Sequence, residues 1–120
     1  MARPTKQRHV YAFPVYDKFG PCGKDTSKEC DRVTLMLDEY EAIRLIDLEG
    51  MNQAEAAESM EVARTTVQAI YQTARQKVAD ALCNGKQIVI EEGDCFICHD
   101  TVDANGNVIR VCKIRRPEDK

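Results

Sequence analysis

Two groups of residues carry types and spacings that can do chemistry. The first is Cys95-Phe96-Ile97-Cys98-His99, with Cys112 further on. Thiolate and imidazole are the donors that hold zinc or an iron–sulfur centre, and C-x2-C is a knuckle spacing for such a site. Asn105-Gly106 between two alternating apolar runs signals a hairpin closed by a two-residue turn. That closure sets His99 opposite Cys112. Because side chains alternate along a strand, Cys95, His99 and Cys112 would then share one face. Cys98, on the other face, competes with Cys22 and Cys30 as fourth ligand. The competing reading is a set of reduced or redox-active thiols: Phe96 and Ile97 are bulky where a knuckle usually has Gly, and only one C-x2-C pair exists. Six Cys in 120 residues are too few for a scaffold built on disulfides.

The second group is Arg64, Thr65 and Gln68, continued by Gln72 and Arg75 at helical spacing. Arg matches guanine O6 and N7, Gln matches adenine N6 and N7, and Thr can contact a phosphate or a thymine methyl. Arg3, Lys6 and Arg8 at the other end of the chain have the composition of an arm that enters a minor groove. The alternative for that arm is a frayed terminus, with His9 a surface residue. Arg44, the lone base in an acidic stretch, is expected to pair with Glu41 or Asp47 along its own helix. No Gly-rich phosphate loop and no Ser/His/Asp or Cys/His nucleophile set is present, so catalysis is not expected. Acidic pairs such as Asp38-Glu39 and Glu91-Glu92 read as solvated charge.

The elements that must position these residues follow from periodicity and punctuation. Pro4, Pro14, Gly20, Pro21 and Gly23 mark residues 1–32 as an irregular arm. Asp38 with Glu41 fits a capping box that opens a first helix running to about Glu49, closed by Gly50. Asn52 with Glu55 opens a short second helix ending near Met60. A third helix is predicted from Arg64 to about Leu82, closed at Asn84-Gly85. Its buried stripe is Val67, Ile70, Tyr71, Ala74, Val78, Ala81 and Leu82, and Cys83 beside it reads as a small buried residue. From Gln87 the period becomes two. Gln87–Glu91 is a candidate short strand, followed by the hairpin.

Residues 56–71, AAESMEVARTTVQAIY, have the anatomy of a helix-turn-helix. Ala57 is small where two helices cross, Val62 tucks under the turn, and Val67 anchors the second helix. Arg64, Thr65 and Gln68 then face away from the core at the end that enters a major groove. Two choices are locally unfavourable. Glu61 stands where Gly is usual, and Ala63 stands where a Ser or Thr cap is usual, each at a cost of about 1 kcal/mol.

Net charge is −3, from 17 basic and 20 acidic residues, which as a total argues against a nucleic-acid partner. By segment the answer changes. Residues 38–62 carry −7, whereas residues 1–32 and 63–87 each carry +3. Screening confines exposed charge to about 8 Å at physiological salt, so a basic arm and helix can meet a polyanion locally. No apolar run nears the roughly 20 residues needed to span a bilayer. The basic N-terminus lacks the apolar stretch of a signal peptide, and a cytoplasmic setting is expected.

The run LMLDEYEAIRLIDLEGMNQAEAAESMEVARTTVQAIYQTARQKVADALCNGKQIVIEEG, with the opening MARP and Phe13-Pro14, closely resembles an uncharacterised prokaryotic family of predicted DNA-binding proteins. The likeness covers roughly residues 1–93, and EAIRLIDLEG and ARQKVADAL are its most distinctive runs. The family's helix-turn-helix is like the fourth region of sigma factors, of winged-helix-like type. The resemblance implies DNA binding and transcriptional regulation without catalytic activity, and it sets Arg64, Thr65 and Gln68 at groove-facing positions.

The expected fold is mainly α: a three-helix helix-turn-helix domain (33–87) between an irregular basic arm (1–32) and a C-terminal β-hairpin appendage (88–120). The expected function is sequence-specific binding of double-stranded DNA. A homodimer is expected as well, since one such unit offers few base contacts. Two alternatives stand beside it. One is a metal- or redox-sensing regulator whose hairpin holds zinc or an iron–sulfur centre through Cys95, Cys98, His99 and Cys112. The other is a module binding RNA polymerase or another transcription protein through the acidic first helices.

Overall fold

A computed structural model describes residues 8–11, 13–22, 31–93 and 95–115. The side chains of 95–97, 110 and 112–115 lie outside that description. Arg3 and Lys6 fall outside the described residues.

The described chain runs β1 (Arg8–Val10), β2 (Lys18–Phe19), β3 (Arg32–Met36), α1 (Leu37–Ile43), α2 (Gln53–Met60), α3 (Arg64–Asn84), β4 (Gln87–Glu91), β5 (Cys95–Val102) and β6 (Val108–Arg115). It is a helical core with a substantial β part. α1 continues as one π-helical stretch, Arg44–Leu48, before Gly50 leaves the helix at φ 81°. The start of α1 differs from the sequence expectation. Met36, not Asp38, is the N-cap, and its N–H donates to Glu39 Oε1 at 2.8 Å. Strand β3 runs straight into the helix, which shifts the capping pattern toward the N-terminus. At α2 the expected box forms in full: Glu55 N–H donates to Asn52 Oδ1 (2.8 Å) and Asn52 N–H to Glu55 Oε1 (3.0 Å). Gly85 closes α3 at φ 64°.

Among its described residues, the stretch expected to be irregular contains two strands, and the β part is tied to the helices rather than appended. β3 and β4 pair in parallel (Val33↔Ile88, Leu35↔Ile90), with the helices forming the crossover between them, and β2 flanks β4 antiparallel. β1 pairs in parallel with β5, and β6 is the outer strand of that second sheet. Such pairings join distant segments, so local punctuation at Pro and Gly cannot reveal them.

Two apolar clusters hold the helices. Val10, Leu35, Leu37, Ala74 and Ile90 bind sheet to helix. Ala42, Leu45, Ala56, Ala57, Met60 and Val67 fill the space where α1, α2 and α3 meet, with Val62, Ile70 and Tyr71 at its margin. Most of the expected α3 stripe turns inward. Leu82 does not: it is 81% exposed, and Cys83 beside it is exposed as well. The helix there has run past α1 and α2, and what remains is an open apolar groove lined by Phe19, Pro21, Val78, Ala81, Leu82 and Ile88.

Candidate nucleic-acid interface

α2 ends because Glu61 turns left-handed, at φ 55° and ψ 47°. Val62 N–H then donates back to Ala57 C=O at 3.1 Å, and Val62 packs on the inter-helix cluster. Ala63 is the N-cap of α3 with no side-chain cap bond. Both local compromises read from the sequence are therefore present in the turn. Helix α3 leaves it with Val67 fully buried against the cluster.

That anchoring fixes what α3 shows to solvent. Arg64, Thr65, Gln68, Gln72 and Arg75 are all exposed. Arg64, Thr65, Gln68 and Gln72 make no side-chain hydrogen bond or ion pair with another described residue. Arg75 lies over the Tyr71 ring, 5.3 Å from its centroid. Tyr71 in turn donates its hydroxyl to Asp47 Oδ1 at 2.6 Å, which pushes its pKa up. The other helical cations are engaged. Arg44 donates twice to Glu41, at 2.8 and 2.9 Å, as the sequence reading allowed, and this pairing raises its pKa. Lys77 Nζ lies 2.7 Å from Glu39 Oε1. Beyond the helix, Lys86 is 2.9 Å from Asp80, raising the lysine pKa and lowering that of the aspartate. Among the described residues, Arg64 and Arg75 are the helical cations without an acidic partner.

Arg8 is placed differently from a groove-entering arm. It sits in β1, and its Nε is 3.6 Å from Asp38 Oδ2 at the start of α1. Burial lifts the Asp38 carboxyl above the ordinary aspartate range, with Arg8 pulling the other way.

The hairpin register also departs from expectation. Asp103 Oδ1 accepts the backbone N–H groups of Asn105 and Asn107, each at 2.9 Å, and these bonds hold its pKa down. Gly106 takes φ 85°, and Asp103 N–H donates to Asn107 C=O at 2.9 Å. The carboxylate thus draws one more residue into the loop than a two-residue Asn-Gly turn uses, a three-residue loop (104–106) with a glycine bulge. The ladder slips by one: Cys98 pairs with Cys112, and His99 with Val111. A slip of one exchanges the faces, so the shared face expected for Cys95, His99 and Cys112 does not arise. His99 is exposed, and Cys98 is buried, 1% accessible. The side chains of Cys95 and Cys112 lie outside the described set. Among the described residues, no three His, Cys, Asp or Glu side chains form a metal-holding group.

His9 is the residue sequence reasoning missed. Read as a surface residue of the arm, it is instead largely buried, its side chain 15% exposed. Its Nδ1 lies 3.2 Å from Cys98 Sγ and 3.2 Å from Glu61 Oε2. It joins β5 to the turn between α2 and α3. The pairing of β1 with β5 and the packing of β1 against α2 bring these residues together, and no local pattern announces a parallel pairing across most of the chain.

Helices α2 and α3, meeting at a tight left-handed turn over a shared core, with a polar α3 face outside, define a small helical domain framed by two sheets. By sequence the chain belongs to DUF134, a family described as protein of unknown function, whose model matches residues 1–98. It is 49% identical over 98 residues to a UPF0251 protein of Desulfitobacterium hafniense (strain Y51), covering 82% of this chain and 78% of that one. A UPF0251 protein of Caldicellulosiruptor bescii is 44% identical over 120 residues, covering 98% and 83%. One from Thermoanaerobacter pseudethanolicus is 51% identical over 94 residues, covering 78% and 79%. No solved structure matches the chain. Among the described residues, no helix is long and apolar enough to cross a membrane.

Proposed function

We propose that this protein binds double-stranded DNA through α2, the turn and α3 acting as a helix-turn-helix, and that it serves as a non-catalytic regulator of transcription in the cytoplasm. One observation carries the reading. The residues that anchor α3 (Ala57, Met60, Val62, Val67) are packed inside, while Arg64, Thr65, Gln68 and Gln72 are exposed at the end of α3 that a major groove receives. These four have no partner among the described residues. Arg64 can donate twice to guanine O6 and N7, and Gln68 can donate to adenine N7 while its Oε1 accepts from N6. The N-terminal end of α3 adds its partial positive charge toward phosphate, and Arg75 further along is the backbone contact. The −7 carried by residues 38–62 limits non-specific affinity. One unit reads few base pairs, so two copies on a two-fold site are the working arrangement.

The test is affinity for duplex DNA across salt. Phosphate contact by Arg75 and the helix end predicts one to two released counterions, a log–log slope of about −1 to −2 per unit. Affinity independent of salt would contradict phosphate binding.

A further inference from the structure

The corrected register of the hairpin brings two cysteines to one rung. Cys98 and Cys112 are Cα partners in the β5–β6 ladder. The bond from Asp103 N–H to Asn107 C=O marks that pair as the hydrogen-bonded type. Rungs alternate from there, so 102/108, 100/110 and 98/112 are non-hydrogen-bonded pairs. Such pairs have Cα atoms about 4.5 Å apart, inside the span of about 4.4–6.8 Å that a disulfide bridges. Cys98 is a thiol in this structure, and it is not solitary. His9 Nδ1 lies 3.2 Å from its sulfur, with the Glu61 carboxylate 3.2 Å from the same nitrogen. Base, carboxylate and thiol come from three separate elements. Cys22 and Cys83, by contrast, are exposed and lie on other parts of the fold.

We propose that Cys98 and Cys112 are a redox-convertible pair, oxidised by a hydroperoxide to a cross-strand disulfide. The Cys98 proton passes to His9 Nδ1, where Glu61 stabilises the imidazolium. The thiolate attacks the peroxide: an S–O bond forms, the O–O bond breaks, and the departing alkoxide or hydroxide takes the proton back from His9. The product is a sulfenic acid on Cys98. The sulfur of Cys112 then attacks it, the S–S bond forms, and the hydroxyl leaves as water with the Cys112 proton. In sum, two thiols and one hydroperoxide give one disulfide, one alcohol (or water) and one water. Burial of Cys98 selects for an oxidant as small as hydrogen peroxide and against bulky thiol reagents.

The experiment uses the reduced full chain and one equivalent of hydrogen peroxide, followed by alkylation and non-reducing tryptic mapping. Trypsin cuts after Arg110, so Cys98 and Cys112 fall on different peptides, but Cys95 shares the peptide of Cys98. The expected product is a cross-link between these two peptides that dithiothreitol reverses. It persists in Cys95→Ser and disappears in Cys98→Ser. In Cys112→Ser, Cys98 is instead trapped as sulfenic acid by dimedone. His9→Gln slows the reaction about a hundredfold or more, the lower range of general-base effects. A wild-type Cys98 still reduced after Cys22 and Cys83 have reacted, or a cross-link that survives Cys98→Ser, would overturn the pairing. A His9→Gln rate equal to wild type would overturn the role of His9. None of these readouts depends on DNA binding.

Discussion

Glu61 offers the sharpest test of how the turn between α2 and α3 is built. It is the only described non-glycine residue at positive φ, 55°. A left-handed conformation costs an L-residue with a Cβ about 1–2 kcal/mol. Glycine removes that cost but adds about 0.4–1 kcal/mol of unfolded-state entropy. Glu61→Gly and Glu61→Ala both lose the carboxylate that faces His9, so that contact cancels in comparing them. Only the backbone difference remains. Glu61→Gly should therefore be more stable than Glu61→Ala by roughly 0.5–1 kcal/mol. For a chain this size that corresponds to a gap in Tm of about 2–6 °C. Urea denaturation of both variants, with m-values checked for equality, measures it directly. If Ala equals or exceeds Gly in stability, the turn is not left-handed at Glu61, and the placement of α3 falls with it.

Three further outcomes follow from the same geometry. Ala63→Ser should add about 1 kcal/mol by capping α3, read as a raised urea midpoint without loss of helicity in circular dichroism. Arg44→Met strands the fully buried Glu41 carboxylate, which otherwise accepts both Arg44 and the Tyr11 N–H at 2.8 Å. Removing one partner of such a pair costs about 3–5 kcal/mol, and a thermal melt within 2 °C or so of wild type would contradict it. Asp38 titrates above the ordinary aspartate range, chiefly through burial. Ionised Asp38 therefore costs stability above its folded pKa, and that cost is relieved as pH falls through it toward the unfolded value. The stability of Asp38→Asn relative to wild type should accordingly decline between pH 7 and pH 4. A difference constant with pH, measured by urea midpoints, would contradict the shift.

What the sequence revealed was local. Asn52 and Glu55 cap α2 within four residues of each other, Gly50 and Gly85 stop helices, and the period of α3 shows its buried face, so helices were legible to within a residue or two. The Arg44–Glu41 pair was legible for the same reason. Strand pairing was not. β3 meets β4 only after the three helices intervene, and β1 meets β5 across most of the chain, with nothing in the short run Arg8-His9-Val10 to announce it. His9 was thus misread, and Arg8 was assigned to a groove-entering arm although it lies against Asp38. The hairpin shows an intermediate case. Asn105-Gly106 located it, but Asp103 captured two backbone N–H groups and moved the register by one, which changed which cysteine faces which. Leu82 and Cys83 show the limit of periodicity, since a helix longer than its packing partners exposes residues that its pattern would bury.

The most direct test of the proposed function is a selection from randomised duplexes, followed by affinity measurement on the winning sequence. The comparison is wild type against the Arg64→Ala, Gln68→Ala double variant, with folding verified by circular dichroism. Selection should yield a defined site, and the double variant should lose about 2–6 kcal/mol on it, at about 1–3 for each base contact, while weak binding to unrelated duplex changes little. Failure to enrich any sequence, or equal affinity of wild type and double variant for the selected site, would contradict recognition through α3.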